Sequence, residues 1–263
     1  MPSAAAVRRQ IELALESRIP AALSPSPATI REVATTGIEE VDRLLDGGLP
    51  VGAISEIAGP ASSGRTTLAL AFLAQRTRES RYCAWVDAND TLDPESAAAS
   101  GVELRQLLWI RCSDRVSGRK PAGGRLSAGD AKPWTRLDQA LLATDLLLQA
   151  GGFGAIVLDL GEIAPEYGCR IPLATWFRFR QAAGRTRASL LVLGRAAYAQ
   201  SSAAVVLECS SLRAQTDGGT VLSGCTFALR RERQRSTGPI AGLRKPPASS
   251  WSANVPWQAE KRA

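Results

Sequence analysis

The stretch "AISEIAGPASSGRTTLALAFLAQRT", residues 53–77, constrains this chain more than any other part of it. A short apolar run ends in glycine, a turn of small residues follows, and apolar residues then recur at helical spacing. That order predicts strand, loop and helix. Within it "GPASSGRTT", residues 59–67, fits G-x-x-x-x-G-K-[ST] at every place except the lysine, where Arg65 stands. Backbone amides of such a loop wrap phosphate, the helix N-terminus adds partial positive charge, and a hydroxyl at Thr66 suits Mg²⁺. Gly59, Pro60, Ser62, Ser63, Gly64, Arg65, Thr66 and Thr67 are therefore the candidate nucleotide-binding residues. Arg65 keeps the charge of lysine but replaces a compact ammonium by a larger planar fork, so binding survives the change better than turnover. Asp159, closing the apolar run "AIVLD", is the candidate holder of a Mg²⁺-bound water. The bland readings are a glycine turn that only packs and a core strand that happens to end in Asp.

The rest of the chain repeats the same alternation. "YCAWVDA", "LLWIRC", "GAIVLDL", "ASLLVLG" and "AAVVLEC" read as buried strands, and "CTFALRRERQR" as a last strand running out into a basic tail. Thr135 with Asp138 reads as the cap of a helix whose apolar face includes Leu137, Leu141 and Leu148; "PLATWFRFRQAAG" reads as another helix. Strands alternating with helices predict an α/β fold with a mainly parallel central sheet flanked by helices. The expected organisation is an N-terminal helix and linker over 1–34, a core over 35–229 with a flexible insertion at 113–133, and a basic tail containing Pro and Trp over 230–263.

Composition narrows the chemistry. The chain has no histidine, which removes Ser-His-Asp and Cys-His catalysis and most metal-ligand sets while leaving phosphate chemistry untouched. Its five cysteines are scattered and form no C-x-x-C pair, so neither zinc nor a disulfide framework is expected. The longest apolar stretch is broken by Asp145 and Gln149, and the first residues lack a signal-peptide core, so a cytoplasmic protein away from membranes is expected. Most of the net charge of +7 sits after Thr226. Arg230, Arg231, Arg233 and Arg235 begin that tail and are candidates for nucleic-acid contact, with Trp251 and Trp257 as anchors for a partner; a solvated or disordered tail is the bland alternative. "WFRFRQAAGRTR" is either a basic aromatic surface using Arg178 and Arg180 or a helix with Trp176 and Phe179 in the core. In the insertion, Arg115, Arg119, Lys120, Arg125 and Lys132 face the same choice between DNA and water.

From Thr35 to Pro94 the sequence resembles the bacterial RecA recombinase core. "TTGIEEVDRLLDGGLPVGAISEIAGPASSGRTTLAL" carries T-G, G-G-L-P and E-I-x-G-P-x-S-S-G in order, and "YCAWVDANDTLDP" is similar to F-I-D-A-E-x-x-L-D-P. The resemblance is traceable through Asp159 and fades over Ser189 to Gly194, covering roughly the middle two-thirds of the chain. It implies a RecA-like core that binds ATP and Mg²⁺ between subunits and forms filaments on DNA.

Three departures qualify what it implies. Asn89 stands where the pattern has the glutamate that activates water, and an amide takes no proton. Asp90, next in the chain, points differently at a strand end. Gly194 and Arg195 stand at an Asn-Gln pair that senses nucleotide, Arg195 being also a candidate for nucleic-acid or partner contact, and "AAYAQSSAAVVLE" is too short for the family's DNA loop. Intact fold motifs with altered chemistry resemble the ImuA type, a RecA-like accessory of SOS mutagenesis and translesion synthesis. That resemblance implies weak or absent hydrolysis, an ImuB-like polymerase-related partner, contact with a RecA filament, and contact with single-stranded DNA. The alternatives are an active DNA-dependent ATPase of the recombinase class using Arg65 and Asp159, and a RadA-like or KaiC-like relative, against which the L-D-P after the second strand argues.

Overall fold

The computed structural model describes residues 32–112, 133–217, 221–234 and 247–254. The expected N-terminal helix, the basic residues of the insertion, Arg235 and Trp257 lie outside the described residues. In chain order the strands are β1 (Val33–Ala34), β2 (Leu49–Pro50), β3 (Ile54–Ala58), β4 (Tyr82–Asp87), β5 (Leu107–Arg111), β6 (Phe153–Asp159), β7 (Ser189–Gly194), β8 (Ala203–Asp217), β9 (Val221–Gln234) and β10 (Ala248–Asn254). The helices are α1 (Glu39–Leu44), α2 (Arg65–Arg78), α3 (Pro94–Ala99), α4 (Pro133–Ala150), α5 (Pro165–Gly168) and α6 (Leu173–Thr186).

The main sheet runs β10-β9-β8-β3-β7-β6-β4-β5, with β1 and β2 pairing separately. From β5 to β8 neighbouring strands are parallel, as expected. Parallel strands are buried on both faces, which is why they read as unbroken apolar runs. Cys83 and Trp85 of β4 join Val157 and Leu191 under Leu68, Phe72 and Leu73 of α2. The alternate residues Ala84 and Val86 join Ile156, Leu158 and Val192 under Leu137 and Leu148 of α4 and Trp176 and Phe179 of α6. Two helical layers thus cover the sheet, and the site lies where its central strands end.

Local signals explain several boundaries. In the T-G-I opening, Asp42 accepts hydrogen bonds from the Thr36 amide (2.7 Å) and hydroxyl (2.8 Å), tying α1 to the segment before it. In L-D-P, Asp93 caps α3 by accepting from the amides of Glu95 and Ser96, and Pro94 takes the first helical place, where its missing N–H is harmless. The expected cap at Thr135 is corrected: Pro133 opens α4 in the same tolerated way, so Thr135 is already helical.

The basic tail is the larger correction. A boundary at 229 cuts through β9, which continues to Gln234, and β10 pairs with it antiparallel from Ala248 to Asn254. The arginine run is accommodated because each described arginine finds an acceptor within the chain. Arg230 bridges Glu208 and Glu232, each at 2.5 Å, Arg231 reaches Asp46 and the Leu44 carbonyl, and Arg233 reaches the Gln200 carbonyl. Phe227 and Leu229, just before the arginines on the same strand, are buried. Trp251, expected to anchor a partner, instead packs on Phe227 with ring centroids 4.8 Å apart and is only 4% exposed. Trp251→Ala is expected to cost about 3–5 kcal/mol in urea unfolding, as for other buried aromatics. A cost within about 0.5 kcal/mol, as at an exposed site, would remove β10 from the folded unit.

Candidate phosphate-binding site

The loop between β3 and α2 begins as an extension of the sheet, since the Gly59 amide donates to the Gly194 carbonyl at the end of β7 (3.0 Å). It then turns through Ser62 at φ 59° and Gly64 at φ 89°. Gly64 caps α2 in the left-handed conformation, and the Phe227 ring lies across it: a methyl there would sit 2.8 Å from two ring carbons. Backbone and packing both require glycine. The first turn of α2 contains no acidic residue, so its amides face an anion without a competing carboxylate.

Arg65, the first residue of α2, does not extend into solvent; it is buried, 7% exposed. Its guanidinium and the Asp159 carboxylate both lie against Gly161, where an added methyl would meet Asp159 Oδ1 at 3.0 Å and Arg65 Nη2 at 3.2 Å. Asp159, also buried, accepts from the Gly161 amide at 2.9 Å. Burial pushes its carboxyl up to about 6, helped by the charges of Asp87 and Glu162 and opposed by the Gly161 hydrogen bond and by Arg65. Burial therefore outweighs the attraction of the arginine.

A cavity of about 160 Å³ opens here, lined among others by Ser62, Arg65, Thr66, Asp159 and Glu162. Arg65, on the cavity wall, has a buried Nη1 with no hydrogen-bond partner, which fits a small oxyanion such as one phosphate group; the Ser63 hydroxyl, also buried and unpartnered, lies beside Gly59 and not on that wall. Pockets for whole organic ligands are larger, about 300–1,000 Å³. With Arg65 in this position the cavity is the size of a single phosphate group. Thr66 is exposed at the cavity wall. Among the described residues no group of three or more His, Cys, Asp or Glu could hold a metal. A Mg²⁺ ion in such a loop relies on the hydroxyl, phosphate and water instead, so Thr66 and Asp159 remain the residues that would serve it.

The end of β4 is shaped by Asp87. Its carboxylate accepts from the amides of Asn89, Thr91 and Leu92 and from Trp109 Nε1, all at 2.9–3.2 Å, which fixes the turn. Asn89 has a buried Nδ2 without a partner and is not among the residues lining the cavity. Asp90 is held by both arms of Arg111 at 2.5 Å, and those hydrogen bonds lower its carboxyl pKa, making it a poorer base.

Sequence reasoning missed two residues here. Glu162, on the cavity wall, bridges Arg195 at 2.8 Å, and Arg195 also donates to the Gly161 carbonyl. Glu56, in the middle of β3, is buried and accepts from the amides of Tyr198 (2.5 Å) and Ala199 (2.7 Å), pinning the loop after β7. Burial raises its carboxyl, against those two hydrogen bonds and the charge of Arg233. A lone acid inside the apolar run "AISEIAG" was the available signal. Tyr198 in turn packs so closely on Gly194 that an added methyl would lie 2.5 Å from its ring, leaving no room for an amide side chain.

The remaining candidates lie elsewhere. Arg178 and Arg180 are on α6, which covers the face of the sheet opposite α2. Arg230, Arg231 and Arg233 are on β9 with the partners given above.

A strand of a parallel sheet leading through a glycine loop into α2, with the strand-end acid two strands away, can be compared with known proteins. Residues 20–117 match the family model of the RecA N-terminal domain. A 129-residue stretch is 39% identical to Protein RecA of Ectopseudomonas oleovorans, covering 49% of this chain and 31% of that protein. Over 149 residues the chain is 36% identical to Protein RecA of Allorhizobium ampelinum, covering 54% and 35%. It thus spans about a third of the length of these curated relatives. The crystal structure of the RadB recombinase superposes with a TM-score of 0.57 at 16% identity, over 83% of this chain and 94% of that one. The fold is RecA-like. The mostly parallel sheet and its flanking helices follow that architecture.

The raised pKa of Asp159 makes a signed prediction. A carboxyl near its ordinary value of about 3.9 in the unfolded chain and at about 6 in the fold binds protons more tightly when folded. Its contribution to stability is fully present below about pH 4 and is lost as pH rises through about 6. In metal-free buffer at about pH 7.5, Asp159→Asn is expected to raise the unfolding free energy by about 2–3 kcal/mol, with the gain vanishing near pH 4. Urea titrations at both pH values check this, and a variant less stable at the higher pH would contradict it.

Proposed function

We propose that this chain is a catalytically degenerate RecA-like accessory of DNA repair, of the ImuA type, acting in SOS mutagenesis and translesion synthesis through contacts with protein and DNA. The observation that carries the reading is the burial of Arg65 within its own phosphate loop, beside Asp159 and in a cavity of about 160 Å³. Bound ATP and Mg²⁺ would supply the phosphoryl chemistry of an active relative. In this chain Thr66 and Asp159 would serve the metal, the loop amides would hold phosphate, and Arg65 would have to withdraw to admit it. Asn89 offers an amide in place of the expected base, and Asp90 is committed to Arg111.

The short connection from Gly194 to Ala203, pinned by Glu56, further supports an accessory, since it provides little chain to follow a DNA strand. The partners on this reading are an ImuB-like polymerase-related protein and a RecA filament, with single-stranded DNA as an additional contact and the cytoplasm as the setting. Steady-state ATP hydrolysis, with and without single-stranded DNA, tests the proposal. Turnover no greater than that of Asp159→Ala is expected. DNA-stimulated turnover that is lost in Asp159→Ala would return the chain to the active ATPase class.

A further inference from the structure

Parallel strands start at one end of a sheet and finish at the other, so the first residues of β4, β5 and β6 lie together at the end away from the phosphate loop. Tyr82 pairs with Phe153, and Leu108 pairs with Ala84, two residues after Tyr82. Tyr82, Phe153 and Leu108 therefore stand on one face of the sheet. Their burial is incomplete: Tyr82 is 62% exposed and Leu108 45%, and Leu104, in the helical turn before β5, is 41% exposed.

A pocket of about 480 Å³ opens here, walled by Tyr82, Leu107, Leu108 and Phe153 and lined also by Arg105 and Gly152. Its volume falls within the roughly 300–1,000 Å³ of pockets that hold a ligand. Helix α4 stops at Ala150, and the chain turns through Gly151 and Gly152 at φ 71° and 84°. A methyl added to Gly152 would meet nothing within 4 Å, so the space beside it is open.

The charge at this end is one-sided. Arg78, Arg81 and Arg105 are exposed, and their guanidinium groups have no ion-pair or hydrogen-bond partner among the described residues. Arg230 and Arg111, by contrast, each hold a carboxylate at 2.5 Å. Arg105 lines the pocket, Arg81 precedes Tyr82, and Arg78 Nη2 lies against Gly101, in the segment leading to Arg105. Within 76–82 and 101–108 the acids are Glu79, which Arg76 engages at 2.6 Å, and Glu103. Clustered exposed apolar side chains mark protein contact sites, and tyrosine and arginine are enriched where such contacts are strongest.

We propose that this end of the sheet binds an acidic segment of a partner protein. An aromatic or long aliphatic side chain of that segment would enter the pocket against Tyr82 and Phe153, and its flanking Asp or Glu would meet Arg81 and Arg105. Charge complementarity selects the acidic partner, and the apolar wall selects the anchor. Single-stranded nucleic acid fits less well, because Leu104, Leu107 and Leu108 offer no ring for bases to stack on. A second copy fits less well, because a two-fold contact would set these arginines against themselves. The inference bears on the accessory reading without resting on it, since the pocket and the phosphate loop are at opposite ends of the sheet.

The test selects displayed random peptides about 12 residues long against the full chain. Enriched peptides are then measured by fluorescence anisotropy against wild type, Tyr82→Ser, Arg105→Glu and, as a control, Leu142→Ser, which changes an exposed apolar residue on α4. Enriched sequences are expected to carry an aromatic or long aliphatic residue flanked by Asp or Glu. Their affinity is expected to fall about tenfold or more in Tyr82→Ser and in Arg105→Glu and to stay unchanged in the control. Circular dichroism confirms that these surface substitutions leave the fold intact. No enrichment, enriched sequences that are neutral or basic, or affinities that the two pocket variants leave unchanged would overturn the proposal. So would loss, in those two variants, of binding to an oligothymidylate of about 20 nucleotides or of self-association seen in sedimentation.

Discussion

Two opposite charges, Arg65 and Asp159, are buried together at the mouth of the sheet, and the character of the site follows from their uneasy balance. Burying a charge is expensive, and attraction to a partner offsets the cost only with good geometry. Here it does not: the Asp159 carboxyl rises to about 6 despite the arginine. A lysine in the same loop would be a compact donor directed at phosphate. The guanidinium instead rests against Gly161 on the cavity wall and leaves one nitrogen unpartnered. The loop has kept its shape while its charge has turned inward.

That shape is imposed from outside the loop. The hydrogen bond between Gly59 and Gly194 ties it to β7, Glu56 ties the next connection to β3, and Phe227 lies over Gly64. Trp251 supports Phe227 from the last described strand. The C-terminal strands therefore reach the phosphate loop through two aromatic rings. The charge of Arg233 on β9 also favours the ionised carboxyl of Glu56 in the central strand. The loop is held by packing at its glycines and by a hydrogen bond at its base.

Much of this was legible in the sequence. Unbroken apolar runs marked the parallel strands, and glycine spacing located the loop and α2, because both signals are local. The direction of the Arg65 side chain was not legible, since it depends on Asp159 and Gly161, nearly a hundred positions away in the chain. The fate of the arginine run 230–233 was misread for a similar reason. A charge run looks like a tail until Glu208 and Asp46 are seen beside it, and Trp251 looks like an anchor until Phe227 is seen beneath it. Non-local partners decide such positions, and a single sequence does not display them.

On the proposed reading, Arg65 keeps nucleotide out of a loop that is otherwise well formed. The most direct measurement is the thermal midpoint of the full chain with and without saturating Mg²⁺-ATP, for wild type and Arg65→Lys. Ligand that binds only the folded state raises the midpoint. The expected shift is below about 1 °C for wild type and about 3 °C or more for Arg65→Lys. A wild-type shift as large as that of the variant would show that the arginine admits nucleotide, and the claim would fail.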